Sequence, residues 1–180
     1  MDSLKEIEQV KDNANLIFSR QQVDQALDGM AEGITDLLSE QNPLLLSVMN
    51  GGIITTALLM LRMPFTFQLD SIFVSRYRNT TQGNEIQWLK EPSVPIRDRV
   101  VLLIDDILDE GITLAKIKQY CLKQGAKSVF TAVLVDKMLG FEKPIVADIV
   151  GLTCDNRYLF GYGMDYKGYL RNAPGIFACP

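Results

Sequence analysis

Between Val100 and Leu114 the chain reads VVLLIDDILDEGITL, five aliphatic residues running into Asp105, Asp106, Asp109 and Glu110, then Gly111, Ile112 and Thr113. No lysine or histidine stands within the segment to balance the acids. Carboxylates grouped in this way accept hydrogen bonds from sugar hydroxyls or hold hydrated magnesium. The glycine and threonine belong to a turn that opens a helix, and free amides at a helix start grip a phosphate. A phosphorylated sugar with a metal satisfies both halves of the segment. The plainer alternative, that Asp and Gly only cap a helix and shape its turn, is weakened by three aspartates within five residues.

Other chemistries are closed off by composition. The chain has no histidine, which removes triads, HExxH zinc sites and imidazole acid-base chemistry together. Proton transfer then falls to carboxylates, Lys or Tyr. There is no GxxxxGK[ST], no GxGxxG opening a helix after a strand, and no EF-hand spacing. Cys121, Cys154 and Cys179 lack zinc-ligand spacing, and their odd number does not make a disulfide framework, so a reducing cytoplasm is the expected setting. A net charge of −4 argues against binding nucleic acid through its phosphates. The acidic N-terminus does not resemble a secretory signal. The most apolar window, residues 43 to 67, is broken by Asn50-Gly51-Gly52 and Arg62, so no membrane span is expected.

The elements that must position the acidic segment follow from periodicity. Ser19 with Gln22 forms a capping-box pattern, and Val23, Leu27, Met30, Ile34 and Leu37 continue at helical spacing, which predicts about five turns. LLLSVM after Asn42-Pro43 reads as a buried strand, Asn50-Gly51-Gly52 as a turn, and ITTALLMLRM as a helix. Phe65, Phe67 and Leu69, and then Ile86 and Trp88, alternate with polar residues and predict strands on either side of SRYRNTTQGN. Leu114, Ile117 and Cys121 line a helix ending at Gly125, and SVFTAVLV forms the next strand. Aliphatic strands joined by crossover helices imply an α/β fold, a mainly parallel sheet covered on both faces, with the ligand beyond the carboxyl ends of the strands. At 180 residues a single domain is expected.

IDDILDEGIT, residues 104 to 113, resembles the PRPP-binding motif of the type I phosphoribosyltransferases. VDK at 135 to 137 and YLFGYGMDYKGYLRN at 158 to 172 resemble the purine-site lysine and C-terminal signature of their 6-oxopurine, hypoxanthine-guanine branch. The resemblance runs from about Leu44 to Asn172. It implies the type I fold, a mainly parallel twisted sheet flanked by helices, with a core over about residues 20–152. A small hood would come from about 153–180, with an N-terminal contribution.

The resemblance also implies roles. Asp105 and Asp106 would bind the ribose 2′- and 3′-hydroxyls with Mg2+ nearby, and the amides of Glu110, Gly111, Ile112 and Thr113 would surround the 5′-phosphate. Asp109 would be the catalytic residue, taking the proton from the attacking imidazole-ring nitrogen of the base. Lys137 would donate to the six-position oxygen, Tyr158 would stack on the purine, and the backbone of Leu159 would read its pyrimidine edge. Asp165 would lie at the far edge of the base and help place a magnesium ion. Arg171 would hold the departing pyrophosphate together with Asn50-Gly51, a loop often built in the family around a cis peptide. Arg76 and Tyr77 would belong to a loop that closes over the reacting centre.

This chain departs from the commonest pattern at Glu110, where Thr or Ser is usual, at Ile112, at Asn50 and at Arg76-Tyr77. These positions bear on PRPP affinity. The implied reaction joins hypoxanthine or guanine to PRPP, with a xanthine-preferring enzyme and a PRPP-sensing regulator as rival readings. The implied partners are these small molecules and further copies of the chain, as a homodimer or homotetramer.

Overall fold

The computed structural model describes residues 2–76 and 86–180. Helix α1 (Asp2–Asn13) is followed by strand β1 (Asn15–Ser19) and helix α2 (Arg20–Leu38). Ser19 accepts from the Gln22 amide while the Gln22 side chain accepts from the Ser19 amide, so the capping box predicted from sequence starts α2. Val23, Leu27, Met30 and Ile34 are buried along one stripe, but the stripe ends on Leu38, which is fully buried, and leaves Leu37 41% exposed.

Next come β2 (Leu44–Met49), α3 (Ile53–Met60), β3 (Gln68–Arg76), β4 (Ile86–Lys90) and β5 (Val100–Leu108). The chain continues through α4 (Ile112–Lys123), β6 (Ser128–Met138), β7 (Ile149–Asp155), β8 (Leu159–Phe160) and β9 (Gly175–Ala178). Phe65 and Phe67 precede β3 and lie outside it. Their alternation reflects a bend in which the two rings meet edge to face at 5.9 Å and pack against the core.

The main sheet has the order β4-β3-β2-β5-β6-β7, and every pair is parallel except the β3–β4 edge pair. Strand alternation splits its side chains between two cores. Leu45, Leu102, Ile104, Ala132 and Leu134 pack with α2 and Leu59 of α3, whereas Leu44, Leu46, Val101, Leu103 and Val133 pack with Leu114, Ile117 and Cys121 of α4. The alternation in β5 changes phase at Asp105-Asp106: beyond them Ile107 packs on the α2 side and Leu108 on the α4 side. The apolar run of β5 is thus interrupted by a pair of acids close to the sheet's carboxyl edge.

A second sheet, β1-β9-β8, is antiparallel and closes over that edge. Its middle strand, β9, pairs with the N-terminal β1 on one side and with β8 on the other. Helix α1 reaches the same region, where Glu6 accepts from the Tyr166 hydroxyl at 2.8 Å and pairs with Lys167 at 2.6 Å. No helix among the described residues is long and apolar enough to cross a membrane.

Candidate active site

A cleft of about 590 Å³ opens between the carboxyl edge of the main sheet and the smaller sheet. Each wall comes from a different element. Asp105 and Asp106 end the apolar part of β5, Asp109 and Gly111 form the turn into α4, Thr113 lies in its first turn, and Lys137 comes from the end of β6. Asn50 and Gly51 join β2 to α3, while Tyr158, Leu159, Asp165 and Arg171 descend from the C-terminal segment. Glu110 is exposed and Ile112 half-buried, and neither side chain lines the cleft. Arg76 is the last residue of β3, and Tyr77 lies outside the described residues.

Asp106 is 7% exposed and Asp105 half-buried. Burial pushes the Asp105 carboxyl well above the usual carboxylate range, and the Asp106 charge beside it adds to the rise. Burial also raises Asp106, opposed by its hydrogen bond with Asp105 and by the Arg171 guanidinium. Two adjacent carboxylates so shielded from water are stabilised by anything that brings positive charge or donors to them. Oxygen donors of this kind suit Mg2+, which is held by one or two carboxylates together with substrate oxygens. Among the described residues no three ligand-type side chains converge on one point, so Asp165 does not join the Asp105-Asp106 pair in a single cluster.

The turn after β5 opens a helix with a glycine at its cap. Gly111 has φ +77°, in the left-handed region that favours glycine, and as the N-cap of α4 it has no side chain to offer the first turn. On the cleft's other flank the peptide Met49–Asn50 is cis. A Cβ at Gly51 would collide with the Asp106 carboxylate, and one at Gly52 would come within 2.5 Å of the Ile104 carbonyl oxygen. The loop therefore needs both glycines to lie against β5.

Gly163, with φ +106°, brings the C-terminal segment against the same loop, since a Cβ there would strike the Gly51 carbonyl oxygen. Arg171 is fixed beside it: its guanidinium donates to the Gly163 carbonyl and pairs with Asp165 at 2.7 Å, while its own carbonyl accepts from the Gly163 amide at 3.0 Å. Asp165 also accepts from the Gly168 amide at 2.7 Å.

Across the cleft, Lys137 donates to Asp109 at 3.0 Å. The lysine side chain is 9% exposed and the aspartate side chain 48%. Tyr158 is exposed, with its ring edge to face with Tyr166 at 5.7 Å, and Leu159 is buried behind it. Sequence reasoning missed the contribution of β3 and β4, whose Phe73, Val74, Ser75 and Leu89 complete the wall. Their only sequence signal was the placement of two strands around residues 77–85.

The Asp105-Asp106 pair of β5, the glycine-capped start of α4 and the Asn50-Gly51 loop opposite thus line one cleft. The chain belongs to the phosphoribosyl transferase domain family, whose model matches residues 14–167. It is 28% identical over 166 residues to the hypoxanthine-guanine phosphoribosyltransferase of Bacillus subtilis, covering 92% of each chain. It is 31% identical over 166 residues to the bifunctional protein TilS/HprT of Listeria monocytogenes, covering 92% of this chain but only 26% of that protein's length. Among solved structures, the Trypanosoma cruzi hypoxanthine phosphoribosyl transferase superposes with a TM-score of 0.86 at 26% identity, covering 92% of this chain and 91% of that one. The Staphylococcus aureus hypoxanthine phosphoribosyltransferase shares the fold at a TM-score of 0.86 and 24% identity, with coverage of 92% and 91%.

Proposed function

We propose that this chain transfers the 5-phosphoribosyl group of PRPP to hypoxanthine or guanine, giving IMP or GMP and pyrophosphate, in purine salvage. The observation that carries the reading is the Lys137–Asp109 pair at one side of the cleft, with the Asp105-Asp106 diacid beside it. The similarity to hypoxanthine-guanine enzymes from Bacillus subtilis and Trypanosoma cruzi supports it.

Asp105 and Asp106 accept hydrogen bonds from the ribose 2′- and 3′-hydroxyls, and the turn over residues 110–113 receives the 5′-phosphate. Glu110 takes part through its backbone, with its side chain turned away from the cleft. The bond from C1′ to the pyrophosphate oxygen breaks as the imidazole-ring nitrogen bonds to C1′, and Asp109 accepts the proton leaving that ring. Lys137 donates to the six-position oxygen, which selects against adenine because an exocyclic amino group does not accept that bond. Tyr158 stacks on the base and the Leu159 backbone reads its pyrimidine edge. Asn50, Gly51 and Arg171 face the departing pyrophosphate. Asp105 and Asp106 would hold Mg2+ on one side of the cleft, with Asp165 helping to place a magnesium ion from the other, and the ion would supply positive charge to the leaving group when bound.

The protein acts in the cytoplasm, as a homodimer or homotetramer. A magnesium-dependent assay with PRPP against hypoxanthine, guanine, xanthine and adenine tests the reading. Turnover of hypoxanthine or guanine at least ~100-fold above adenine is expected. A preference for adenine overturns the role of Lys137, and a preference for xanthine reassigns the substrate. PRPP binding without turnover of any base makes the chain a sensor of PRPP.

A further inference from the structure

Lys143 stands in the loop joining β6 to β7, outside the cleft, yet its side chain is only 10% exposed. Its ammonium donates to the Leu108 carbonyl at 2.7 Å and to the Asp136 carboxylate at 2.5 Å. Leu108 is the last residue of β5, directly before Asp109, and it is the register partner of Asp136 in β6. Lys143 therefore ties the ends of two neighbouring strands together at the point where the phosphate turn departs. The turn also rests on the same loop, for a Cβ at Gly111 would lie 3.1 Å from Ile145 Cγ2 and 3.5 Å from Lys143 Cβ.

Asp136 and Lys137 are consecutive in a strand, so their side chains leave opposite faces of the sheet. Lys137 secures Asp109 from the hood side. Lys143 secures the preceding carbonyl from the α4 side, where Leu108 packs with Leu114 and Ile145. A nearly buried ammonium holding a backbone carbonyl fixes the peptide before Asp109 more firmly than a neutral donor does. It also puts positive charge under a turn whose own ionisable side chains, Asp109 and Glu110, are acidic.

We propose that Lys143 is a positioning residue that sets the phosphate turn for the sugar's terminal phosphate, acting through the Leu108 carbonyl. The inference rests on the proposed reading that this turn grips the 5′-phosphate of PRPP. It predicts a selective defect. Replacing Lys143 by Met frees the carbonyl and lets the turn drift, which weakens PRPP binding while leaving the purine wall of Tyr158 and Leu159 in place.

The experiment measures magnesium-dependent PRPP binding by calorimetry, together with KM for PRPP and for hypoxanthine, in wild type, Lys143→Met and the double variant Lys143→Met/Asp136→Asn. The double variant leaves no unpaired carboxylate at Asp136. A rise of about tenfold in Kd and KM for PRPP in both variants is expected, with KM for hypoxanthine within about twofold of wild type. Unchanged PRPP binding in folded variants overturns the proposal. So does an equal loss for both substrates, or unfolding of both variants by circular dichroism, because either assigns Lys143 to the fold alone. A wild type that binds no PRPP defeats the functional reading itself, a result distinct from any difference among the variants.

Discussion

The Lys137 ammonium donates to the Asp109 carboxylate across 3.0 Å, joining the end of β6 to the turn after β5. The pair faces the cleft with its anionic member half in solvent and its cationic member nearly buried. Removing Asp109 takes away the proposed proton acceptor and strands a buried ammonium. Asp109→Ala is expected to lower kcat by roughly 100-fold or more, with a smaller change in KM for PRPP. Steady-state kinetics of both substrates check the split, and weakened PRPP binding at intact turnover would reverse the assignment.

Gly163 lies against the Gly51 carbonyl, and each of the two glycines is too close to a neighbour for a side chain. Gly51→Ala drives a methyl into the Asp106 carboxylate, and Gly163→Ala adds the strain of φ +106°. Each is expected to cost about 1–3 kcal/mol of stability and to weaken pyrophosphate binding. Gly29 offers the contrast, being exposed in α2 with nothing within 4 Å of an added Cβ. Gly29→Ala should therefore stabilise the protein by about 0.5–1 kcal/mol. Urea midpoints of the three variants test the ordering.

Asp70, in β3, holds the chain after β4 in place. Burial pushes its carboxyl up, but Lys90 and the amides of Val94, Ser71 and Ser93 outweigh burial and bring it down to about 2. A carboxyl depressed on folding contributes stability that is fully present above its unfolded value of 3.8 and is lost as pH falls toward about 2. The Tm gap between wild type and Asp70→Asn should be constant near neutral pH and narrow across that acid window; a gap independent of pH would contradict the assignment.

Cys121 is fully buried on α4, and burial pushes its thiol up to about 12. It should resist alkylation at pH 8 in the folded protein and react once the chain is unfolded in guanidinium. Mass spectrometry of labelled peptides reads this directly, and rapid native labelling of Cys121 would show that the α4 face opens.

Much of the architecture was legible because it rests on local pattern. The run VVLLI placed a buried strand, though β5 runs on past the two acids to Leu108, and Ser19 with Gln22 placed the start of α2. These signals span only a few residues. The smaller sheet gave no such signal: β8 has two residues and β9 four, too short for alternation to show, and their partners lie far away in sequence. Phe65 and Phe67 misled for a related reason, since a bend that buries two rings alternates as a strand does. The ammonium facing the acidic turn was legible only as a residue type. Nothing local ties Lys137 to Asp109, or Lys143 to Leu108, until β5 and β6 stand side by side.

The place of β9 between β1 and β8 has a consequence for biosynthesis. On the ribosome the six strands of the large sheet are all made before residues 175–178, so that sheet is free to assemble while Asn15–Ser19 still waits for its pairing strand. The nascent chain thus acquires the Asp105-Asp106 edge before the roof above it, and a stalled translation product ending ahead of Gly175 would carry an uncovered strand edge open to mispairing.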